Sequence, residues 1–409
     1  MSMVPHPVSV TPDSVGRKRQ FSHNGLLQAG RRLSPCIFAF LPLGMLAMIL
    51  LWTPHYQDII AFDYHRSFRP AAEAVMNGNS PYPPPVAASM AERDAFVYLP
   101  LGAFLFAPLS VLSSATADLA VTALMFLIPL VALRILGVRD WRCYALAVFS
   151  AAMVSAIQTA NLTLPLLLAL AAIWASRHRA VLPGLVLALT LATKLFLWPV
   201  FIWLLATRRY RAAAASAITT AVLVGGSWAL IGFAGMHDYP ALLRMLAQSL
   251  EYDAYTIFAL LSDFGVPDLL ARGVGVAAGG ATLVGCWILG RRGDATRSFT
   301  LAIVAALLFT PIVWLHYFTL LLVPIAIVHK RLSLLWATPL LFWLFVEGDG
   351  NGTTFQTIWT LAVVALVVLL VLRVTPTKAN DDRVPAPRPT LAPQEAEREN
   401  VERPLRSAA

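Results

Sequence analysis

The sequence predicts an all-α integral membrane protein whose helices cross the bilayer many times. Of its 409 residues, 58% are hydrophobic and only 13% are charged, which is outside the range of soluble globular proteins. The mean hydropathy is +0.68. Apolar runs of roughly 17–25 residues, the length that crosses a bilayer as a helix, recur along the chain. Since lipid tolerates only helices and closed barrels, these runs predict a polytopic helical bundle.

The apolar runs predict about twelve transmembrane helices, several of them too short to cross a bilayer core of roughly 30 Å unaided. The first span covers residues 36–53 and runs outward. The later apolar segments are residues 98–113, 117–136, 142–157, 162–175, 181–206, 212–233, 268–289, 298–315, 317–328, 332–346 and 356–373.

Composition divides the chain into three regions. Residues 1–34 form a polar, basic arm that we expect in the cytoplasm, and residues 376–409 form a Pro-, Glu- and Arg-rich tail, expected to be disordered and cytoplasmic. The membrane domain lies between them, at residues 35–375. It carries two polar outer loops, the first at residues 54–97 and the second at residues 234–267.

The net charge of +9 is distributed as in a membrane protein, so we expect no nucleic-acid partner. Basic residues cluster in the N-terminal arm and in short loops, as Arg17, Lys18, Arg19, Arg31, Arg32, Arg208, Arg209, Arg291, Arg292, Lys330 and Arg331. This is the positive-inside pattern. One conflict is left, because counting from the first span puts the basic residues 139–142 and 177–179 outside. Dividing the segment 181–206 at Lys194 would return them to the inside but would change the parity elsewhere, so the count of twelve is kept.

The cysteines and glycines indicate neither a metal centre nor a nucleotide-binding loop. Cys36, Cys143 and Cys286 lie far apart, in or next to apolar segments, where cysteine acts as a small packing residue. There is no Gly-rich phosphate loop and no dinucleotide-binding fingerprint. We therefore expect no metal and no cofactor. If the protein transfers a group on the outer face, its donor is a lipid, because soluble nucleotide sugars are not available there.

The polar stretch at residues 62–100 organises the rest of the chain, because it separates the first span from an almost unbroken series of apolar segments. Within it, residues 69–76 carry apolar side chains at helical spacing. A proline in the first turn and an Asn-Gly pair after Met76 suit the two ends of a helix. The pattern predicts a short interfacial helix with its apolar face toward lipid.

Acidic residues restrict where an outer catalytic carboxylate can lie. Of 22 acids, five lie in the first outer loop and five between residues 238 and 268. Glu347 and Asp349 are the remaining candidates on the outer side. Asp63 is the candidate general base, since a carboxylate at the outer end of the first span can take a proton from an incoming hydroxyl group. The structural alternative is that Asp63 caps a helix or pairs with Arg66 or Arg69.

Two polar residues stand inside apolar sequence, where burial is costly without a function. Lys194 lies more than ten residues from either end of its apolar run. It is a candidate cation for a phosphate, and the alternative is a snorkelling lysine. His316, behind the helix-breaking Pro311, could donate to a phosphate or a hydroxyl group. Its alternative is an interfacial histidine in an aromatic belt, beside Trp314.

Further polar residues are weaker candidates. Gln158 and Asn161 interrupt apolar sequence and could hydrogen-bond a sugar, or could cap two short helices. The second outer loop offers another wall for an outer cavity. It carries His237, Glu251 and Asp253.

The order and spacing of these residues resemble glycosyltransferase family 87, over about residues 35–375. The resemblance rests on Asp63, Tyr64, Ala71, Ala72, Gly78, Asn79, Ser80, Pro81, Tyr82, Tyr98, Leu99, Pro100, Pro108, Leu109, Gln158, Asn161, Lys194, Pro199, Pro311, Trp314, His316 and Tyr317. Two stretches depart from the family pattern. Residues 253–256 stand where relatives often have an Asn-Gln-Ser-like patch, and Trp314-Leu315 replaces an acid-aromatic step.

The resemblance implies a GT-C membrane fold and a polyprenyl-phosphate-mannose-dependent mannosyltransferase of the bacterial plasma membrane. Asp63 would be the general base, and Lys194 and His316 would bind the donor phosphate. The residues expected to bind substrate are Tyr82, Tyr98, Gln158, Asn161 and Asp253. The departures bear on the acceptor and the sugar more than on the fold.

We therefore expect an inverting glycosyltransferase that moves a hexose, mannose by resemblance, from a polyprenyl phosphate to a lipid-linked or cell-envelope glycan on the outer face. Its partners would be these lipids and no nucleic acid. A transporter or lipid-glycan flippase is the alternative, because it would share the apolar content and the buried Lys194. The absence of repeated halves and the acid-bearing outer loop count against it. A non-catalytic membrane scaffold would leave Lys194 and His316 unexplained.

Overall fold

Regular secondary structure is helical throughout the part of the chain that the computed structural model describes, which is residues 38–41, 44, 60–83, 95–345 and 352–374. The α-helices, in chain order, are α1 (Arg69–Met76), α2 (Pro100–Ser110), α3 (Ser114–Ile135), α4 (Trp141–Phe149), α5 (Ala151–Thr159), α6 (Thr163–Ala175), α7 (Leu182–Thr193), α8 (Trp198–Ala206), α9 (Tyr210–Leu230), α10 (Tyr239–Leu250), α11 (Ile257–Asp263), α12 (Asp268–Arg291), α13 (Ala295–Phe309), α14 (Leu322–Val328) and α15 (Thr354–Arg373). A π-helical turn lies at Tyr64–Phe68, and 3-10 helices lie at Leu195–Leu197, Glu251–Asp253, Leu315–Leu321 and Leu334–Trp343. The all-α prediction is confirmed for these residues.

The described helices confirm a membrane protein with several spans. α3, α9, α12 and α15 are long and apolar enough to cross a bilayer, and α5 with α6, bent by 115° between them, make a fifth if they form one span. The count of about twelve spans stays a prediction. The basic arm, the tail, Glu347, Asp349 and most of the first span lie outside the described residues.

Helix α1 has the bounds that the sequence predicts. Pro70 lies in its first turn, and Gly78 after its end adopts a φ of +72°, which glycine reaches without steric cost. The expectation that its apolar face meets lipid is wrong. Ala71, Ala72 and Val75 are buried in the protein, because α1 packs against α2.

Two predicted spans are broken into shorter helices. The segment 142–157 divides at Ser150 into α4 and α5. The segment 181–206 divides at Lys194, which adopts an extended conformation with φ −148° and ψ 119° between α7 and the 3-10 turn that precedes α8. Pro199 explains the second break, because a proline lacks the N–H that would bond four residues back and its ring clashes with that carbonyl.

The break at Lys194 brings two of the basic loops together. The Nε of Arg209, just after α8, donates to the carbonyl of Arg177, just before α7, at 2.9 Å. Both helices therefore meet the same end of the bundle, and Lys194 lies at the tip between them. Similarly, the N–H of Leu332 donates to Asp140 at 3.1 Å. The basic loops at residues 139–142 and 330–331 thus share an end, as the positive-inside rule requires.

Packing of α7 against α9 depends on a glycine, because a methyl group on Gly184 would lie 2.7 Å from the carbonyl carbon of Ala212. We expect Gly184→Ala to destabilise the fold by about 1–3 kcal/mol, since overpacked helices have to move apart. Gly280→Ala, in α12, is the matched control, because nothing lies within 4 Å of the added methyl group. Thermal unfolding in detergent measures both, and equal midpoints would contradict the close approach.

Candidate functional site

Lys194 is the centre of a cation–aromatic cluster. Its Nζ donates to the hydroxyl of Tyr317 and lies 4.6 Å from the centre of that ring. It also lies 4.9 Å from the ring centre of Tyr98 and 5.8 Å from that of Phe196. The side chain is half-buried. Aromatic faces attract a cation more strongly where water is excluded, so the tip between α7 and α8 holds a stabilised ammonium group.

Tyr98 reaches Lys194 because its backbone is fixed on both sides. The N–H of Leu99 donates to the carbonyl of Thr193, the last residue of α7, at 3.0 Å. The hydroxyl of Tyr82 donates to the carbonyl of Tyr98 at 2.8 Å. Phe68 stacks on the Tyr98 ring with centroids 4.9 Å apart. Tyr82 is therefore placed as a support of Tyr98, and its predicted contact with substrate stays a prediction.

An aromatic group behind Tyr82 completes this support. The Tyr82 ring stacks on Trp228 with centroids 5.3 Å apart and meets Tyr239 at 5.0 Å. The hydroxyl of Tyr239 donates to the carbonyl of Val97 at 2.9 Å. Two tyrosines from different outer loops thus hold neighbouring carbonyl groups of the segment that carries Tyr98. The end of α9 and the start of α10 are tied to the first outer loop in this way.

His316 is buried and shares an aromatic partner with Lys194. Its ring stacks on Tyr317 with centroids 4.8 Å apart and an interplanar angle of 25°. Pro311 follows the end of α13, and the chain then runs extended to Trp314 before the 3-10 helix begins. Tyr317 accepts from Lys194 through its hydroxyl and stacks on His316 through its ring. The structure thereby brings together the two residues predicted to bind phosphate.

Asp63 stands at the start of the π-helical turn and is half-buried. The N–H of Ala61 donates to the carbonyl of Gln158 at 2.7 Å, which fixes the chain just before it. Phe68, which ends that turn, stacks on the Tyr98 ring. Asp63 therefore begins the turn that contacts the tyrosine whose ring faces Lys194.

Gln158 and Asn161 shape the junction between α5 and α6. Gln158 contributes its carbonyl to Ala61, as above. Asn161 is buried, accepts from the N–H of Thr163 at 2.8 Å and donates to the hydroxyl of Thr159 at 2.7 Å. This is the helix-capping role that the sequence left open for Asn161. A contact with sugar is untested for both residues.

Asp253 lies in the second outer loop, in the 3-10 turn that follows α10. Its carbonyl accepts from the N–H of Gly352 at 3.2 Å. Nearby, the N–H of Tyr255 donates to the carbonyl of Val313 at 2.8 Å. The second outer loop is thus bonded to the extended segment that leads to His316, so it can form a second wall of the site.

An ion pair with a buried carboxylate anchors this loop. Glu251 is 1% exposed, and both of its carboxylate oxygens accept from the guanidinium of Arg272 in α12. The guanidinium also lies 4.5 Å from the ring centre of Phe258. The pair stands beside an apolar cavity of about 230 Å³ that Tyr255 and Val313 also line. Glu251, one of the acidic residues of the second outer loop, therefore has a structural role.

The chain matches one known protein family. The family model described as glycosyltransferase family 87 matches residues 96–315, just over half of the 409 residues. The chain belongs to glycosyltransferase family 87. No curated protein and no solved structure matches it. Membership of a glycosyltransferase family favours group transfer over the transporter alternative.

The match covers part of the predicted site of this family 87 glycosyltransferase. Tyr98, Gln158, Asn161, Lys194 and Asp253 lie within it. The remaining predicted residues lie outside the matched range, at Asp63, Tyr82 and His316. His316 directly follows the last matched residue. The contacts described above join Asp63 and Tyr82 to residues inside the matched range.

Sequence reasoning missed three aromatic residues of the site. Tyr317 stood in the family pattern, but no function was assigned to it beside His316. Trp228 precedes the second outer loop and Tyr239 lies within it, and neither gave a signal, because an aromatic residue near a helix end is ordinary in a membrane protein. An aromatic residue directly after a buried histidine was the available clue for Tyr317.

The ion pair of Glu251 supports a stability test. We expect Glu251→Gln to lower the free energy of unfolding by about 1–3 kcal/mol, because it removes the charge of a buried carboxylate whose two oxygens accept charged hydrogen bonds from Arg272. Glu73→Gln is the matched control, since Glu73 pairs with Arg69 on the surface, where such a pair contributes about 0.3–0.5 kcal/mol. Thermal unfolding in detergent compares them. Equal losses would show that the loop does not depend on the pair of Glu251 with Arg272.

Proposed function

We propose that this family 87 glycosyltransferase moves a hexose from a polyprenyl phosphate to a lipid-linked or cell-envelope glycan. The sugar is mannose, and the reaction takes place on the outer face of a bacterial plasma membrane. Lys194 carries the proposal. A cation at the tip of two apolar helices is costly unless an anion binds there, and the phosphate of a lipid donor is such an anion.

The bonding of Lys194 leaves room for that phosphate. A lysine ammonium has three N–H donors. Tyr317 accepts one of them, and the rings of Tyr98 and Phe196 contact its faces without taking a directional hydrogen bond. Two donors can therefore turn toward a phosphate while the aromatic rings keep the ammonium in place. His316, stacked on the same tyrosine, adds a further donor.

The chemical step follows from these positions. The carboxylate of Asp63 takes the proton of an acceptor hydroxyl group as its oxygen attacks the anomeric carbon of the sugar. The bond from that carbon to the phosphate oxygen breaks, and its electron pair leaves with the phosphate. Lys194 and His316 stabilise the negative charge that develops there. Attack from the side opposite to the leaving group inverts the anomeric configuration.

A phosphate needs no general acid in order to leave, so one base and the hydrogen-bond donors of Lys194 and His316 suffice. Phe68, in the π-helical turn that Asp63 begins, stacks on Tyr98, whose ring faces the ammonium of Lys194. In the proposed reaction the base acts on the acceptor while the phosphate leaves toward Lys194. A flippase would require no such base.

Neutralising Asp63 tests the base. We expect Asp63→Asn to reduce transfer by about 10²–10⁴-fold, the usual contribution of a general base. The assay follows radiolabelled mannose from polyprenyl-phosphate-mannose in membranes with equal amounts of protein. Glu73→Gln, which removes an exposed carboxylate from the same loop, should retain wild-type transfer.

Two outcomes would contradict the proposal. Wild-type transfer by Asp63→Asn would move the base to the second outer loop. No transfer from any lipid-linked hexose by folded wild-type protein would reject the polyprenyl donor.

The contributions of Lys194 and Tyr317 to transfer can be distinguished by substituting each residue separately. We expect Lys194→Met, which preserves volume and removes the charge, to lower transfer by about 10²–10³-fold. Tyr317→Phe keeps both ring contacts and loses the hydroxyl, so its expected loss is about tenfold. Arg292→Met at the opposite end should have no effect. Equal activity of Lys194→Met and wild type would show that Lys194 is structural.

A further inference from the structure

A concave surface opens at the end of α3, far from Lys194. α3 begins beside the first outer loop, where His65 pairs with Asp118 at 2.8 Å, and its 22 residues then run about 33 Å away from it. The concave surface there has a volume of about 400 Å³. Its lining residues are Arg134, Val138, Arg139, Trp141 and Tyr144. We call it the α3-end pocket.

Two cations line the α3-end pocket, and a third from another loop lies beside it. Arg134 lies in the last turn of α3, and Arg139 lies in the loop after it. Lys330, from the loop after α14, lies over Gly137, where an added methyl group would be 3.9 Å from its Nζ. Within the described residues, none of these cations has a carboxylate partner. The pocket therefore gathers positive charge that no carboxylate among the described residues neutralises.

The neighbouring arginine is bound differently. Arg142 donates to both oxygens of Asp140, at 3.0 and 2.9 Å. Hydrogen bonds from the Arg142 side chain lower the pKa of Asp140 to about 2. The Asp140 carboxylate is therefore ionised at neutral pH and already bound by Arg142. It also accepts from the N–H of Leu332. Asp140 thus joins two loops and is already occupied by Arg142 and the Leu332 backbone.

Aromatic side chains form the wall of the pocket. Trp141 is 47% exposed at the start of α4, and Phe38 meets its ring edge-on with centroids 6.0 Å apart. Tyr144 donates its hydroxyl to the carbonyl of Val138 at 2.8 Å, which closes the floor. Tryptophan and tyrosine at the end of a spanning helix are typical of the level of the lipid headgroups. The pocket therefore faces headgroups rather than bulk water.

We propose that the α3-end pocket binds the headgroup phosphate of an anionic membrane phospholipid, with Arg134, Arg139 and Lys330 around it. Basic pockets between membrane helices bind such headgroups. The positive-inside rule accounts for cations at this end, but not for two arginines that line one aromatic-walled concavity with Lys330 beside it. Arg291 at the same end shows the contrast, because it lies on Trp287 and donates to Tyr210.

The test measures lipid binding by the purified full chain in detergent. Native mass spectrometry would titrate phosphatidylglycerol against phosphatidylcholine. We expect wild type to bind phosphatidylglycerol preferentially and Arg134→Gln/Arg139→Gln to bind it at least about tenfold more weakly. Arg291→Gln/Arg292→Gln, which removes the same charge at the same end, should bind it as wild type does. A single Arg139→Gln variant replaces the pair if the pair does not fold.

The other results decide against the proposal. Equal weakening in both double variants would show a general charge effect without a site. Unchanged binding in a folded Arg134→Gln/Arg139→Gln variant would overturn it. Inorganic phosphate should not displace the lipid at millimolar concentration, and displacement would identify a free-anion site instead. Brominated phosphatidylglycerol should quench less fluorescence in Trp141→Phe than in wild type, and equal quenching would place the lipid elsewhere.

Discussion

The contact between the Lys194 ammonium and Tyr317 is the interaction around which the site is built. It joins residues 123 positions apart in the chain. A lysine inside an apolar run is tolerated where the helix stops and polar or aromatic groups replace water. Pro199 prevents one continuous helix, and Tyr98 and Tyr317 take the place of water around the ammonium group. Three features of the fold place aromatic groups around the Lys194 ammonium. They are the break between α7 and α8, the extended segment before His316 and the position of Tyr98.

This constraint explains why the outer loops are fixed so closely to the membrane helices. Tyr98 has to face Lys194, so its backbone is bonded to the end of α7 and to Tyr82. Tyr82 in turn packs on Trp228, at the end of α9. The second outer loop is bonded to Val313 on the path to Tyr317. Loops that ordinarily vary and move are held here by hydrogen bonds to backbone groups beside the site.

Most helices could be predicted from the sequence, but the break at Ser150 could not, because hydropathy does not mark where an apolar segment bends. Hydropathy and spacing located α1 and most apolar segments, and the depth of Lys194 in its run singled it out. The division at Ser150 was missed because both sides of the break are equally apolar. The capping bonds of Asn161 and the partnership of Tyr317 depend on neighbours that only the tertiary fold brings together. Burial cost can identify a charged residue, but it cannot name its partner.

The family match ends before His316 and begins after Asp63, so the unity of the site rests on physical connections. Asp63 follows Ala61, whose N–H is bonded to Gln158 inside the matched region. His316 stacks on Tyr317, which binds Lys194. Both connections use well-fixed groups, a backbone bond and a stacked ring, rather than exposed ion pairs. Asp63, Lys194 and His316, from three parts of the chain, are therefore held as one unit, as the proposed transfer reaction requires.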